Sequence, residues 1–463
     1  MEPMTLTAVA TVTGGQLTDV PDPTALVTAP LVFDSRNATA GSLFLALTGE
    51  HTDGHAFAAD AIGAGAVAAL VTRPVGHPAI VVDDVLVAAA RLATHLLQEH
   101  CTDTMVIAIT GSAGKTSTKD LIAQMLSAGG SDSSIVATEQ SFNNEIGLPL
   151  TITRATKQTL YLVLEMGARH LGDIHVLTAI ARPAVSVVTN VGTAHLGAFG
   201  SQDKIADGKG EIVEALPSCG VAVLNADDPR VIAMASRTDA RILTFGLNPG
   251  ADIRATDITF DDQGRGRYTL NTPDGSAPVH LRVPGAQQIS NSLAAAAVAH
   301  ETGYDAEETA ELLSAATAQS RWRMETTDRE DGVTVINDAY NASPDSVLHA
   351  IKTLTAMGRA SGRRTIAVLG QMNELGDGSR AAHEEVGQIA AAEGVDQLLA
   401  IGGDEARWMQ QAATGISAVH LPDQDTALEL LTRTLQPRDI VLIKASRGVE
   451  LQQLADALLQ TTD

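Results

Sequence analysis

The alternation of apolar and polar positions along the chain predicts three successive α/β units. In the first unit, up to about residue 100, short apolar runs at residues 42–47, 66–71 and 79–82 predict strands, and helical spacing over 85–98 predicts a helix. In the second unit, β-branched runs alternate with helical stretches, which is typical of a parallel, doubly wound sheet. Its strands are predicted at residues 106–110, 160–164, 185–189 and 221–224.

The second unit ends in an antiparallel excursion, and a third unit follows it. Residues 250–283 alternate around Gly and Asp turns, and helices are predicted at 290–302 and 306–318. Beyond Arg323 the predicted strands are 333–336, 365–369, 397–401, 418–421 and 440–443, and the predicted helices include 379–393, 426–435 and 449–459. The predicted fold class is therefore α/β with three domains: a small N-terminal α/β domain (1–100), a central P-loop ATPase-like parallel-sheet domain (101–320) and a C-terminal Rossmann-like domain (321–463).

Composition narrows the class of protein. Hydrophobic residues make up 44% of the 463 residues, and the formal net charge of -24 disfavours binding to a nucleic acid backbone. The two cysteines, Cys101 and Cys219, exclude a disulfide framework and favour the reducing cytoplasm. No basic segment precedes an apolar run at the N-terminus, and no apolar stretch reaches the ~18 residues of a membrane span. We therefore expect neither a signal peptide nor a membrane partner.

A glycine-rich turn between a predicted strand and a predicted helix carries the first chemical signal. It reads Gly111-Ser112-Ala113-Gly114-Lys115-Thr116-Ser117. Glycines let successive backbone N–H groups point at one anion, and the helix N-terminus adds partial positive charge. In such a loop Lys115 reaches the terminal phosphates of a nucleotide, and the Thr116 hydroxyl can ligate Mg²⁺. The loop is shorter than the general G-x-x-x-x-G-K-[ST] form, because Ile109 stands where the first glycine would be.

Two further strand ends place polar side chains at the same edge of this sheet. The strand at 160–164 leads into Glu165, at the position expected for a Mg²⁺ ligand beside a phosphate loop. The strand at 185–189 leads into His195. Because parallel strands end at one edge, we expect both side chains to converge on Lys115.

These motifs resemble those of the Mur ligase family. The short loop, Glu165-Met166-Gly167, and His195 followed by Lys209-Gly210-Glu211-Ile212 match the family's central domain in order and spacing. Further matching segments in the three domains are Asp34-Ser35-Arg36, Gly49-Glu50, Asp53-Gly54-His55, Ser141-Phe142-Asn143-Asn144-Glu145-Ile146-Gly147-Leu148-Pro149, Asn337-Asp338-Ala339-Tyr340-Asn341-Ala342-Ser343-Pro344 and Val368-Leu369-Gly370-Gln371-Met372-Asn373-Glu374-Leu375-Gly376. The resemblance implies a cytoplasmic, ATP-dependent amide ligase of peptidoglycan synthesis. It would join D-alanyl-D-alanine to UDP-N-acetylmuramoyl-tripeptide through an acyl phosphate, and we expect it to be a monomer.

The resemblance also implies roles for individual residues. Lys115 and the loop amides would bind the ATP phosphates, assisted by Arg323, while Asn291 would contact the adenine and Asp338 the ribose. Two Mg²⁺ ions would be held by Thr116, Glu165, His195 and Lys209, the last as an N6-carboxylated (carbamate) side chain. The substrates would be contacted by Ser35, Arg36, Asn143, Asn144, Tyr340 and Asn341, with Ser35 and Arg36 at the UDP end.

A few positions depart from the family pattern. Gln287-Gln288 stands where His-Asn is common, Asn337 replaces an Asp, Gln371 replaces an acid, and Ala445 replaces a Gly in Lys444-Ala445-Ser446-Arg447. None of these changes removes the proposed metal or phosphate ligands. The roles of Gln287, Gln288 and Gln371 are open at this level.

Other functions share part of this pattern. The same chemistry serves the ligase that adds the third peptide residue and a folate polyglutamyl ligase, although segments 143–149 and 340–344 favour the D-alanyl-D-alanine reaction. A nucleotide-binding switch would share the phosphate loop but would need neither His195 nor Lys209. The sequence leaves open whether lysine or diaminopimelate is the third residue of the tripeptide.

Overall fold

The computed structural model describes residues 1–49, 52–129, 134–139 and 142–460, and its N-terminal part is a small five-stranded sheet. The strand order is β2-β7-β6-β5-β4, and β1 and β3 form a separate antiparallel pair. The strands are β1 (Met4–Thr5), β2 (Gln16–Thr18), β3 (Leu26–Val27), β4 (Leu31–Val32), β5 (Leu43–Leu45), β6 (Ala68–Val71) and β7 (Ala79–Val81). The helices are α1 (Leu6–Thr13), α2 (Ala58–Gly63) and α3 (Val85–His95).

The central part is built on a nine-stranded sheet of order β16-β15-β14-β13-β12-β11-β8-β10-β9. Its strands are β8 (Met105–Thr110), β9 (Ile135–Ala137), β10 (Tyr161–Glu165), β11 (Val185–Val188), β12 (Val221–Asn225), β13 (Arg241–Gly246), β14 (Ile253–Phe260), β15 (Arg265–Thr272) and β16 (Gly275–Pro284). Its helices are α4 (Lys115–Ala128), α5 (Gly147–Ile152), α6 (Asp173–Ile180), α7 (Leu196–Phe199), α8 (Gln202–Glu214), α9 (Pro229–Ile232), α10 (Gln287–Glu301) and α11 (Ala306–Ala315).

Strands β8 to β14 pair in parallel, and β15 and β16 extend the sheet with antiparallel pairing. Strand β8 shows why the sequence forms this sheet: Ile107 and Ile109 face one hydrophobic core, while Val106 and Ala108 face the other. A strand covered on both faces needs a continuous apolar run, and this is the run that predicted it. The Ala-rich helix α10 then packs closely against the sheet through its small side chains.

The C-terminal part is a six-stranded sheet of order β17-β18-β22-β19-β20-β21, parallel except for β17. Its strands are β17 (Glu325–Asp328), β18 (Thr334–Asn337), β19 (Thr365–Leu369), β20 (Gln397–Ile401), β21 (Ser417–Leu421) and β22 (Ile440–Lys444). Its helices are α12 (Pro344–Ser361), α13 (Ser379–Ala392), α14 (Asp404–Ala412), α15 (Gln424–Thr434) and α16 (Gln452–Gln460).

The structure confirms the predicted α/β fold class, the parallel sheets and the antiparallel excursion. The domain bounds at residues 100 and 320 stay predictions. The elements that were not individually predicted are strands β1 to β4, β9, β13 and β17 and helices α1, α2, α5 to α9, α12 and α14. Most of them are short or have apolar positions interrupted by polar ones, and their burial comes from tertiary packing. Within the described residues, no helix is both long and apolar enough to cross a bilayer.

Candidate active site

The glycine loop between β8 and α4 is held between the end of β11 and helix α10. Gly111 has φ +151° and Gly114 has φ +83°, and both conformations favour glycine. A Cβ atom at Gly111 would lie 1.8 Å from Oγ1 of Thr189, and one at Gly114 would lie 2.3 Å from Oδ1 of Asn291. Glycine is therefore required at both positions by backbone conformation and by space.

The end of β11 fixes the loop by hydrogen bonds that the motif alone did not reveal. The Thr189 hydroxyl donates to the Ala113 carbonyl at 2.7 Å. The Asn190 side chain accepts from the Ala113 N–H at 2.9 Å and donates to its carbonyl at 3.0 Å. The Ser112 hydroxyl accepts from the Gly192 N–H at 2.9 Å. These contacts hold the loop in position before any phosphate binds.

Lys115 lies at the first position of α4 and folds back over the loop. Its Nζ donates to the Gly111 carbonyl at 2.8 Å. Burial lowers the pKa of the Lys115 ammonium, the Glu165 carboxylate opposes this effect, and the Arg323 guanidinium adds to it. Glu165 and Arg323 therefore both influence the pKa of the lysine that is predicted to bind phosphate.

Glu165 ends β10 as a buried carboxylate, with 1% of its surface exposed. The Thr116 hydroxyl donates to its Oε2 at 2.7 Å, and the Asn143 amide donates to its Oε1 at 2.8 Å. Burial raises the pKa of this carboxyl, but Lys115, Arg323 and these two hydrogen bonds outweigh burial, so the pKa lies below its usual value. Glu165 is therefore an anion when the nucleotide arrives.

Lys209, in α8, and His195, before α7, complete the group. Lys209 is 2% exposed, and its pKa lies far below the ordinary value because of burial and then the nearby Lys115 charge. Burial also lowers the pKa of His195; Glu374 opposes this, and Lys115 and Lys209 reinforce it. In the described part of the chain, no hydrogen bond or carboxylate partner is found for the Lys209 ammonium. The structure thus brings Lys115, Glu165, His195 and Lys209 into one electrostatic neighbourhood.

The donor groups suit a hard cation that is shared with a phosphate. Within the described ranges, no three His, Cys, Asp or Glu side chains form a self-sufficient metal site. Mg²⁺ commonly uses one or two carboxylates together with substrate phosphates. The hydroxyl of Thr116 and the carboxylate of Glu165, which touch each other beside the loop, fit that requirement.

A cleft of about 30 Å³ lies beside α4, and its lining includes Ser117, Gln288 and Arg323. This volume suits a few water molecules rather than a nucleotide base, so contact of Asn291 with adenine stays a prediction. Gln288 accepts a hydrogen bond from the Asn291 amide at 2.9 Å, and Asn291 in turn lies against Gly114. Gln288, whose role the sequence left open, therefore positions Asn291.

Asp338 and Asn341 lie after β18 and are tied to Lys444. The Lys444 ammonium donates to Oδ2 of Asp338 at 2.5 Å and to the Asn341 carbonyl at 2.9 Å. The other carboxylate oxygen of Asp338 accepts from the Met324 N–H at 3.0 Å. Ribose contact by Asp338 stays a prediction, since the carboxylate holds the junction segment in this structure.

Glu374 and Asp345 of the C-terminal domain reach across the site to the central domain, and Oε1 of Glu374 also lies 3.3 Å from the Arg169 guanidinium. Nδ1 of His195 lies 2.5 Å from Oε2 of Glu374. The backbone N–H and the hydroxyl of Thr193 donate to Oδ2 of Asp345 at 2.8 and 2.9 Å. His195 and Glu374 both have positive φ, 62° and 65°, which is a strained conformation for non-glycine residues. The sequence motifs contained Glu374 but gave no sign of its partner.

A cleft of about 290 Å³ between the N-terminal and central domains is the candidate site for the UDP substrate. Its lining includes Asp34, Asn37 and Arg154, and the rings of Phe33 and Phe142 meet edge to face at 6.1 Å. The sequence pointed instead to the neighbouring Ser35 and Arg36. The Arg36 side chain is 87% exposed and pairs with Asp34.

The remaining predicted residues lie beside this cleft or outside the description. Oδ1 of Asn144 accepts from the Gly147 N–H at 3.0 Å, so this side chain supports the start of α5. Glu50 and Ser141, which belong to two of the matching segments, lie outside the described residues. Substrate contacts by Ser35, Arg36 and Asn144 stay predictions.

Family models match most of the chain. The model described as "Mur ligase family, catalytic domain" matches residues 31–102, "Mur ligase middle domain" matches 109–299, and "Mur ligase, glutamate ligase domain" matches 322–447. Among curated proteins, the UDP-N-acetylmuramoyl-tripeptide–D-alanyl-D-alanine ligase of Mycobacterium bovis is 43% identical, over 98% of both chains. The ligase of that name from Escherichia coli is 35% identical, over 92% of both.

Solved structures agree with the curated relatives. A crystal structure of MurF from Acinetobacter baumannii superposes with a TM-score of 0.89 at 30% identity, covering all of both chains. MurF ligase from Thermotoga maritima in complex with ADP gives a TM-score of 0.80 at 29% identity, covering 94% of this chain and 98% of that one.

The crowding at Gly114 predicts that Gly114→Ala weakens ADP binding. The new Cβ would displace Asn291 and strain the backbone, and strain of about 1–3 kcal/mol corresponds to a loss of roughly 5- to 150-fold in affinity. Titration calorimetry with ADP and Mg²⁺ measures this. Gly172→Ala is the matched control, because Gly172 has φ +92° at the start of α6 with no atom within 4 Å of the added Cβ. Equal affinities in the two variants would contradict the assignment of the loop.

The interdomain contacts predict that Glu374→Ala combined with Asp345→Ala separates the two domains. Loss of these carboxylates removes the His195 contact and both Thr193 hydrogen bonds, so the radius of gyration from X-ray scattering should rise. The control pair Asp377→Ala and Glu385→Ala removes the same charge from exposed positions of the same domain. Unchanged dimensions in the first pair would show that these contacts do not hold the domains together.

Proposed function

Because this chain belongs to the Mur ligase family, we propose that it joins D-alanyl-D-alanine to the terminal carboxylate of UDP-N-acetylmuramoyl-tripeptide at the expense of ATP. It is a ligase of peptidoglycan synthesis, with ADP and phosphate as the other products. The relatives that carry this activity in their names match nearly the whole chain. Through the pentapeptide precursor, the reaction supports the cell wall and so cell shape and division.

One feature above all supports the proposal: Glu165, His195 and Lys209 all lie within electrostatic reach of Lys115 at the phosphate loop, and Glu374 of the C-terminal domain contacts His195. A hydrolytic switch needs the loop and one metal ligand. A lysine buried beside a second lysine is costly, so its presence supports a chemical role in the site.

A carboxylate needs activation before an amine can attack it. One oxygen of the tripeptide carboxylate attacks the γ-phosphorus of ATP, the bond to the β,γ-bridging oxygen breaks, and ADP leaves. The amine of D-alanyl-D-alanine then attacks the carbonyl carbon, and phosphate leaves with the mixed anhydride oxygen while the amine loses a proton. Lys115 and the loop amides place positive charge where charge moves during phosphoryl transfer. Arg323 stands close enough to act on both Lys115 and Glu165.

Thr116, Glu165, His195 and a carboxylated Lys209 are the residues proposed to hold two Mg²⁺ ions. The ions would neutralise phosphate charge during the transfer. The hydrogen bond between Thr116 and Glu165 keeps both oxygens at one place beside the loop. Asn143 holds the second oxygen of Glu165, and its backbone carbonyl accepts from the Gly167 N–H at 2.8 Å, so it is fixed at both ends.

Lys209 is proposed to carry an N6-carboxylate. A buried ammonium beside Lys115 is electrostatically unfavourable. Once it has lost a proton, the neutral amine can add to CO₂ and release a second proton, which leaves an anionic carbamate. The anion would attract both Lys115 and a metal ion. This change reverses the sign of the charge at the centre of the site.

The acyl phosphate must be kept from water until the amine reaches it. The contacts of Glu374 with His195 and of Asp345 with Thr193 bring the C-terminal domain over the loop. We further propose that the protein acts in the cytoplasm as a monomer, where ATP and nucleotide-linked precursors are found.

The proposed reaction predicts an amine-dependent product. Incubation with ATP, Mg²⁺, UDP-N-acetylmuramoyl-tripeptide and D-alanyl-D-alanine should give the pentapeptide by mass spectrometry, with one ADP per amide. Parallel reactions with lysine-containing and diaminopimelate-containing tripeptides identify the natural third residue. UDP-N-acetylmuramoyl-dipeptide with lysine or diaminopimelate, and a folate with glutamate, are the competing substrate pairs. Phosphate release that does not depend on any amine would contradict a ligase and favour a nucleotide switch.

The buried position of Lys209 predicts that Lys209→Ala loses most activity and that short carboxylates partly restore it. Removal of one catalytic electrostatic group typically costs about 10²–10³-fold in rate. Lys204→Ala is the control, because Lys204 is an exposed residue of the same helix. The mass of the intact wild-type protein under CO₂ gives a second readout. Full activity of Lys209→Ala without added carboxylate would rule out the carbamate.

A further inference from the structure

Three loops of the C-terminal domain meet at the carboxyl edge of its sheet, and one of them carries an arginine that the proposed reaction has not used. The loops follow β18, β19 and β22, which are neighbours in the sheet. The loop after β19 holds Glu374, which contacts His195 of the central domain. The loop after β22 holds Arg447. The edge that carries Arg447 therefore faces the phosphate site.

Aromatic rings hold the Arg447 guanidinium in place. It lies 5.0 Å from the centre of the Tyr340 ring and 5.7 Å from that of Trp322. The guanidinium of Arg323 lies 4.1 Å from the same Tyr340 ring. Arg447 thus shares a tyrosine ring with Arg323, the arginine that acts on Lys115 and Glu165. Trp322 has φ 62°, a strained conformation for a bulky residue that places its ring at this junction.

Among the described residues, Arg447 shares with Arg323 the lack of a hydrogen-bonded or carboxylate partner for its guanidinium, whereas Arg321 and Lys444 are each paired. The Arg447 side chain is exposed, and within the described residues no carboxylate pairs with it. Arg321 also stacks on Trp322, at 5.6 Å, but it lies 3.4 Å from Asp456. Lys444 is paired with Asp338. In a chain with a net charge of -24, an arginine held on two rings without a counter-ion is a site prepared for an anion.

The backbone beside Arg447 is tied to the loop after β19. The Ser446 N–H donates to the Gln371 carbonyl at 3.0 Å, and the Ser446 hydroxyl accepts from the Asn373 N–H at 2.8 Å. The Met372 N–H between them donates to the buried His383 at 2.9 Å. Arg447 therefore moves with the loop that reaches His195, and it has a fixed place in the closed site.

We propose that Arg447 binds the terminal carboxylate of the incoming dipeptide, an inference that rests on the proposed function. D-Alanyl-D-alanine carries one carboxylate that takes no part in the reaction, and its amine must reach the carbonyl at the phosphate site. An extended dipeptide spans at most about 7 Å, which suits an anchor one aromatic ring away from Arg323. A guanidinium binds a carboxylate through two parallel hydrogen bonds, so Arg447 sets which end of the dipeptide points inward.

The test compares D-alanyl-D-alanine with its C-terminal carboxamide, which keeps the amine and the shape but lacks the anion. The wild-type enzyme should have a KM for the carboxamide that is about 10- to 100-fold higher, as expected for loss of a charged hydrogen-bonded pair. Arg447→Ala should raise the KM for the dipeptide to the wild-type value for the carboxamide and leave the carboxamide unaffected. Its KM for ATP should stay at the wild-type value.

Two further variants sharpen the result. Arg321→Ala is the matched control, because it removes an arginine that stacks on the same Trp322 but has its own carboxylate partner, and it should keep the wild-type preference. Arg447→Lys keeps the charge without the planar fork and should restore only part of the preference.

Several outcomes overturn the assignment. If the wild-type enzyme uses the carboxamide as well as it uses the dipeptide, the assignment is wrong, whatever the variants do. An equal loss for both amines in Arg447→Ala, or a loss confined to ATP or to the UDP substrate, also contradicts it. If the wild-type enzyme ligates neither amine, the proposed function itself fails, which is distinguishable from failure of the Arg447 assignment alone.

Discussion

A concentration of positive charge around one buried carboxylate is the constraint on which the rest of the site depends. Glu165 is buried within reach of the Lys115 and Arg323 charges, whereas burial disfavours the charged forms of the nearby Lys209 and His195. The chain as a whole is strongly acidic, so the Lys115 and Arg323 cations form a local exception in the global field. Bound phosphate groups would balance this local excess of positive charge. Burial and the Lys115 charge make a bare ammonium at Lys209 unfavourable, which supports the proposed carbamate.

No single domain contains the complete site. The central sheet supplies the loop, Glu165 and Lys209, whereas Glu374 reaches His195 from the loop after β19. Both sheets turn their carboxyl edges toward the same cleft, the edge at which open α/β sheets bind ligands. Activation of the carboxylate and delivery of the amine can therefore be assigned to facing edges of two sheets. Domain contact, rather than a change within either sheet, brings the two steps together.

The local pattern of apolar residues was sufficient to predict the elements that hold the proposed catalytic residues. The parallel strands β8, β10 and β11 are buried on both faces, so their apolar runs stood out, and the chain order placed Lys115, Glu165 and His195 at their ends. The contacts of Thr189 and Asn190 with the loop were not predictable, because they join residues 76 or 77 positions apart. Helix α12 was missed because its polar positions mask its buried face, which packs against β19, β22 and α13.

The sequence by itself determined the fold class, the phosphate loop and the edge at which its partners emerge, because glycine placement and strand ends are local properties. It pointed to Lys209 only through the family resemblance, and it contained Arg447 without indicating a role for it. Only the tertiary structure decided that Lys209 is buried without a counter-ion and that Glu374 meets His195. Likewise, only packing placed Arg447 and Arg323 on the same tyrosine ring. Burial and distance between separate segments control these properties, and neither is encoded in any short stretch of the chain.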